Sequence, residues 1–108
     1  MALIYHLVKQ ADWLHALDSG TYAPPSLKEE GFIHCSTKEQ LMDTIARHYA
    51  DERELVVLEL SEKVVKPILK WETNKHGEFP HLYGKLRIDW VENTRILFKD
   101  GKGEWHWD

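Results

Sequence analysis

The chain has 108 residues, 43% of them hydrophobic and 30% charged, with a formal net charge of −4. That length fits one domain, since domains commonly run to roughly 100–150 residues, and the apolar share excludes intrinsic disorder. The negative balance argues against a nucleic-acid footprint, and no apolar stretch is long enough for a membrane-spanning helix.

Ala2 to Val8 is a short apolar run interrupted by His6 and predicts an opening strand. Asp12 predicts the cap of a helix over Trp13 to Ser19, with Trp13, Leu14, Ala16 and Leu17 on one face and Gly20 as its stop. Thr21 to Pro25 reads as a loop because its paired prolines lack donors and disfavour helix before them. Ser26 to Gly31 reads as one helical turn closed by glycine, and Phe32 to Cys35 as a short, mostly buried strand.

Ser36-Thr37-Lys38-Glu39 matches a capping box, with Ser36 as cap and Glu39 reaching back. The helix it opens carries Leu41, Met42, Ile45 and Tyr49 at helical spacing and should end near Ala50. Glu54 to Leu60 is apolar on both faces at its centre, which predicts a strand interior to a sheet. Ile68 to Glu72 predicts another strand, and Asn74 to Gly84 a loop marked by Gly77, Pro80 and Gly84. Ile88 to Val91 and Thr94 to Lys99 read as late strands, with a turn at Asp100-Gly101. The tail Glu104 to Asp108 is suited to pair as a last strand or to lie on the surface, its tryptophans covering a sheet edge or a second subunit. The uneven alternation of strands and helices predicts an α+β domain spanning 1–108 rather than regular βαβ winding.

No glycine-rich phosphate loop, paired-cysteine zinc site or His-Glu-x-x-His helix is present. Seven histidines direct attention to three segments instead. His6 shares a strand face with Ile4 and Val8 and should point toward covered surface, as a ligand contact or a satisfied core histidine. His34, Ser36 and Thr37 lie where a strand runs into a helix N-terminus, whose free amides favour an anion, although capping alone explains Ser36. His81 and Tyr83 sit in the Pro80–Gly84 stretch, and Glu72 at the end of Leu69-Lys70-Trp71-Glu72 is the best-placed carboxylate. His15, His48, His76 and His106 fall on helix surfaces, in a loop or in the tail. Cys35 is alone, so no internal disulfide can form. A reducing cytoplasm is its natural compartment, and the absence of a basic-then-apolar opening segment agrees. Adjacent strand residues face opposite ways, so His34 is badly placed as its base, and Cys35 reads as a small buried residue.

Ile4-Tyr5-His6, Trp13, Ala16, Ser26-Leu27, Glu30-Gly31-Phe32-Ile33-His34-Cys35-Ser36-Thr37 and Gln40 resemble the bacterial family catalogued as domain of unknown function 952. Trp71-Glu72 and Phe79-Pro80-His81-Leu82-Tyr83-Gly84 are similar to its second half, and the Trp-rich tail over 101–108 lies outside the pattern. The resemblance implies a fold like that of the ADP-ribosyltransferases and RNA 2′-phosphotransferases: a small split mixed sheet, two or three helices and a cleft between the sheet halves. It implies that His6 contacts a nucleotide ribose and that His34 with Ser36 and Thr37 shapes the nicotinamide side; the family group's late glutamate motif has no match, and Glu72 is the carboxylate placed to substitute for it. His81 and Tyr83 join them as ligand-binding residues, with Glu72 and His34 as the catalytic pair. The expected ligand is NAD or an ADP-ribose-like nucleotide. The alternatives are a non-catalytic module binding a small ligand or protein, and a metal site built from His6, His34, His81 and Glu72.

Overall fold

The computed structural model describes residues 2–108. Its elements run β1 (Leu3–Val8), α1 (Gln10–Ser19), β2 (Thr21–Tyr22), α2 (Pro25–Glu29), β3 (Ile33–His34), α3 (Leu41–His48) and β4 (Glu54–Ser61). They continue with α4 (Glu62–Val65), β5 (Leu69–Asn74), β6 (Gly77–Leu82), β7 (Leu86–Arg87), β8 (Val91–Lys99) and β9 (Trp105–Trp107). The α+β class stands, with a fourth helix beyond the two or three expected. That helix is a single turn in which the Ser61 hydroxyl accepts from the Val64 N–H at 3.4 Å.

The strands form a four-stranded sheet ordered β1-β4-β8-β9, a β2-β7 pair, and a three-stranded sheet ordered β3-β6-β5. Every pairing among the described residues is antiparallel, so the expected mixed sheet is corrected. The cause is partly local, because β5–β6 and β8–β9 are sequence neighbours joined by tight turns, which reverse the chain.

Alternation along β4 explains its double-sided apolarity. Leu55 and Val57 face Leu41 and Ile45 of α3, while Val56, Leu58 and Leu60 face the cluster holding Trp13 and Ala16 of α1. The strand is interior, paired to β1 on one side and β8 on the other, as its sequence predicts. Leu14 and Leu17 do not join the buried face of α1 and stand exposed. The helix begins at Gln10, before Asp12, and stops where Gly20 takes φ 90°, a left-handed conformation that glycine adopts without strain.

Three further readings change. Ser36 is not a helix cap: its N–H and C=O both bond to Tyr5, each at 2.8 Å, so it belongs to an extended segment. The cap moves one residue on, where the Thr37 N–H donates to Gln40 Oε1 at 2.9 Å before the 3-10 turn Lys38–Gln40 that leads into α3. Asn74–Gly84 is not a loop, since β6 occupies most of it and pairs with β5 across a two-residue turn at 75–76. Pro80 is tolerated inside β6 because its carbonyl accepts from the Cys35 N–H at 3.1 Å. Its nitrogen faces that same edge, just past the last β3–β6 pair, where no donor is required. Finally, Ile88–Trp90 is a 3-10 turn, and β8 runs from Val91 as one long strand. The tail pairs onto β8 as β9, with the Arg95 guanidinium 4.2 Å above the Trp107 ring.

Candidate functional site

Register in the small sheet determines which side chains meet. His34 of β3 lies directly opposite His81 of β6, and Lys70 of β5 lies opposite His81 on the other side. Residues two apart share a face, so Ser36 follows His34, Phe79 and Tyr83 flank His81, and Glu72 follows Lys70. One face of three short strands therefore collects two histidines, a tyrosine, a carboxylate and a lysine from distant parts of the chain.

The contacts follow from that register. His81 Nδ1 lies 2.8 Å from Glu72 Oε1, so it carries the proton and donates, and the Tyr83 hydroxyl donates to the same oxygen. Tyr83, then His81, hold the Glu72 carboxyl below the usual carboxylate range, and the same bond pushes the Tyr83 phenol up. His34 Nε2 lies 2.8 Å from Glu30 Oε2, and its side chain is half exposed. The His34 and His81 ring centroids are 5.5 Å apart and nearly perpendicular. Phe32 braces the pair, stacking on His81 at 4.1 Å and meeting His34 edge-on at 4.7 Å. Neither His34 Nδ1 nor His81 Nε2 has a protein partner among the described residues.

His6 is different. It is buried, and both ring nitrogens are used. A carbonyl only accepts, so Nδ1 donates to the His34 carbonyl at 2.5 Å, and Nε2 then accepts from the Tyr22 hydroxyl at 2.7 Å. Burial pushes its pKa down to about 4, which keeps the ring neutral near pH 7. Of the two readings of His6, the satisfied histidine describes its ring, which fixes the backbone of His34. Cys35 faces the core, and burial pushes its thiol pKa up.

Two pockets meet along β3 and α3. One, of about 310 Å³, is lined by Tyr5, Leu7, Tyr49 and Glu30. The other, of about 250 Å³, is lined by Arg47, Asn74, His76, Phe79 and His81. They share His34, Ser36, Thr44 and His48 as a common wall, which makes a single groove with an aromatic half and a cationic half. The Ser36 and Thr44 hydroxyls are 3.0 Å apart. Desolvation at the groove wall and then the Arg47 guanidinium push His48 down.

His34, Ser36 and His81 are thus brought together. Glu72 and Tyr83 stand on the far side of His81, and Thr37 is spent on the turn before α3. The sequence reading missed Glu30, Phe32, Thr44, Arg47, His48 and His76. Thr44 and His48 carried a readable signal, being one helical turn apart on the polar side of an amphipathic helix. The four-residue metal set does not assemble among the described residues, and His6 has both ring nitrogens on protein partners. Among the described residues the one triad within coordination reach is Asp100, Glu104 and His106. There, the Asp100 carboxylate already accepts from His106 and from the Lys102 and Glu104 amides.

Comparison with known proteins agrees with this architecture. The profile of the family described as "Protein of unknown function (DUF952)" matches residues 7–94. No curated protein matches the sequence. The crystal structure of protein CC0527 from Caulobacter crescentus is 32% identical, covering 97% of this chain and 94% of that chain with a TM-score of 0.88. A solution NMR structure of CC0527 is 33% identical, covering 95% and 90% with a TM-score of 0.82. The chain belongs to the DUF952 family.

Proposed function

We propose that this family member uses the groove between β3 and α3 to bind a nucleotide of the NAD or ADP-ribose type, on an ADP-ribosyltransferase-like split-sheet scaffold in a reducing cytoplasm. The carrying observation is the division of one groove into two chemically distinct halves. The half at Tyr5, Leu7 and Tyr49 offers aromatic and apolar surface for a flat ring. The half at Arg47, His48 and His76 offers the Arg47 guanidinium and imidazole N–H donors for phosphate oxygens. Ligand pockets of this kind combine apolar walls with a few convergent polar groups.

His34 stands between the halves, and the other expected site residues keep it there: His6 through its carbonyl, and His81 with Glu72 and Tyr83 across the sheet. The same groove would serve a non-catalytic ligand- or protein-binding module. Turnover distinguishes the two.

An amide-resolved NMR titration with NAD and ADP-ribose tests the reading. Shifts confined to His34, Ser36, Thr44, His48 and Tyr49 are expected at millimolar ligand, with Val64 and Trp71 unmoved. An unchanged spectrum for both ligands overturns it.

A further inference from the structure

We infer that His34 and His81 are an acid–base pair that opens a cyclic phosphodiester on the ribose of a nucleotide, using water; this rests on the groove being a nucleotide site. Histidines directly opposite on paired strands, 5.5 Å apart, present two proton-handling groups to one pocket. Each is oriented by its own carboxylate, Glu72 at His81 and Glu30 at His34, and each retains one unpartnered nitrogen. Core histidines such as His6 spend both nitrogens.

The surroundings disfavour a covalent route. Cys35 borders the groove, but its thiol is buried and burial pushes its pKa up, away from a reactive thiolate. Ser36 is buried with its hydroxyl on Thr44, and Glu30 and Glu72 are both committed to histidines. Without an activated side-chain nucleophile the attacking group is water, which needs a base, and the leaving ribose oxygen needs an acid. Arg47 lines the same half of the groove; its Nε donates to Asp43 at 3.1 Å, and its terminal N–H groups are the donors left for a phosphate's outer oxygens.

The step balances without any other reactant. Water gives a proton to His81 Nε2 while its oxygen forms the new bond to phosphorus. The bond from phosphorus to one ribose oxygen breaks, and that oxygen takes a proton from Nδ1 of protonated His34. The product is a ribose phosphomonoester, and solvent returns the proton from His81 to His34. Glu72 acts as a positioning residue, holding the His81 tautomer whose Nε2 is free.

Adenosine 2′,3′-cyclic phosphate is the probe, followed by phosphorus NMR beside the NAD titration. Conversion to the 2′- or 3′-monophosphate is expected, with a bell-shaped pH–rate profile. His34→Ala and His81→Ala should each lower the rate by about 10²–10⁴-fold, in the range typical of a lost acid or base. Glu72→Gln should lower the rate and move one limb of the profile. His34 is half exposed, so its variant retains the fold even where a His81 variant does not. NAD binding in the groove with no turnover of the cyclic nucleotide overturns the pair and leaves the nucleotide site standing. Turnover undiminished by His34→Ala also overturns it, and the absence of both binding and turnover removes both readings.

Discussion

Two histidine environments lie one residue layer apart. His6, in the four-stranded sheet, has a donor role toward the His34 carbonyl, an acceptor role toward Tyr22, and almost no solvent contact. His34 and His81, in the three-stranded sheet, each hold a carboxylate with one nitrogen and leave the other free beside a groove. The contrast separates stability from chemistry. A histidine whose hydrogen-bonding capacity is exhausted inside the protein is part of the scaffold, whereas one with spare capacity at a pocket wall is available to a ligand. The same division runs through the two sheets, because β1 and β4 are covered on both faces and β5 is largely open.

The largest effect that tests this division is a core truncation. Leu58 is fully buried, so Leu58→Ala should cost about 2–5 kcal/mol in urea denaturation. His34→Ala removes a half-exposed pair with Glu30 and the edge contacts with Phe32 and His81, and should cost about 1 kcal/mol, well below the core truncation. Comparable losses at the two positions would erase the distinction.

A second, smaller effect sharpens it through pH. The His6 pKa is pushed down to about 4 from an unfolded value near 6.5, so the unfolded chain binds the extra proton between those values. Stability is therefore full above about pH 6.5 and falls as the pH drops toward 4, by about 3 kcal/mol in total. Urea midpoints across that window should decline in the wild type, and His6→Gln should flatten the decline while lowering stability at pH 7. A wild-type profile without that decline would contradict the buried, neutral state of His6.

The smallest effect concerns the joint between the regions. Gln40 accepts from the Thr37 N–H and donates to the Glu78 carbonyl at 2.7 Å, tying the start of α3 to β6. Gln40→Ala should cost about 0.5–1.5 kcal/mol, measured by thermal unfolding. A neutral substitution would mean that α3 holds its place by Leu41 and Ile45 alone.

Patterns within a few residues were legible in the chain itself. The interior strand β4 followed from its continuous apolar run, the end of α1 from Gly20, and the burial of His6 from alternation with Ile4 and Val8. His34, His81 and Glu72 were legible from their places at strand ends and in the Pro80–Gly84 stretch. Misreadings arose where a local rule met a distant partner. Ser36 has the composition of a cap but is held by Tyr5 of β1, and Pro80 with Gly77 has the composition of a loop but lies in a strand whose neighbours need nothing from the proline nitrogen.

What tertiary structure alone decided is the meeting of side chains. Placing His34 opposite His81, and Glu72 on the His81 ring, depends on hydrogen-bond register between strands up to several dozen residues apart. No periodicity within one segment encodes that register, because shifting a strand by one residue preserves its composition and sends every side chain to the other face. His48 and His76 enter the groove for the same reason: α3 and the β5–β6 turn are brought to it by packing and pairing. The sequence by itself determined the opening strand, the interior strand β4 and the helices α1 and α3, since those preferences are local; pairing between distant strands made β6 a strand and decided which of the seven histidines share a site.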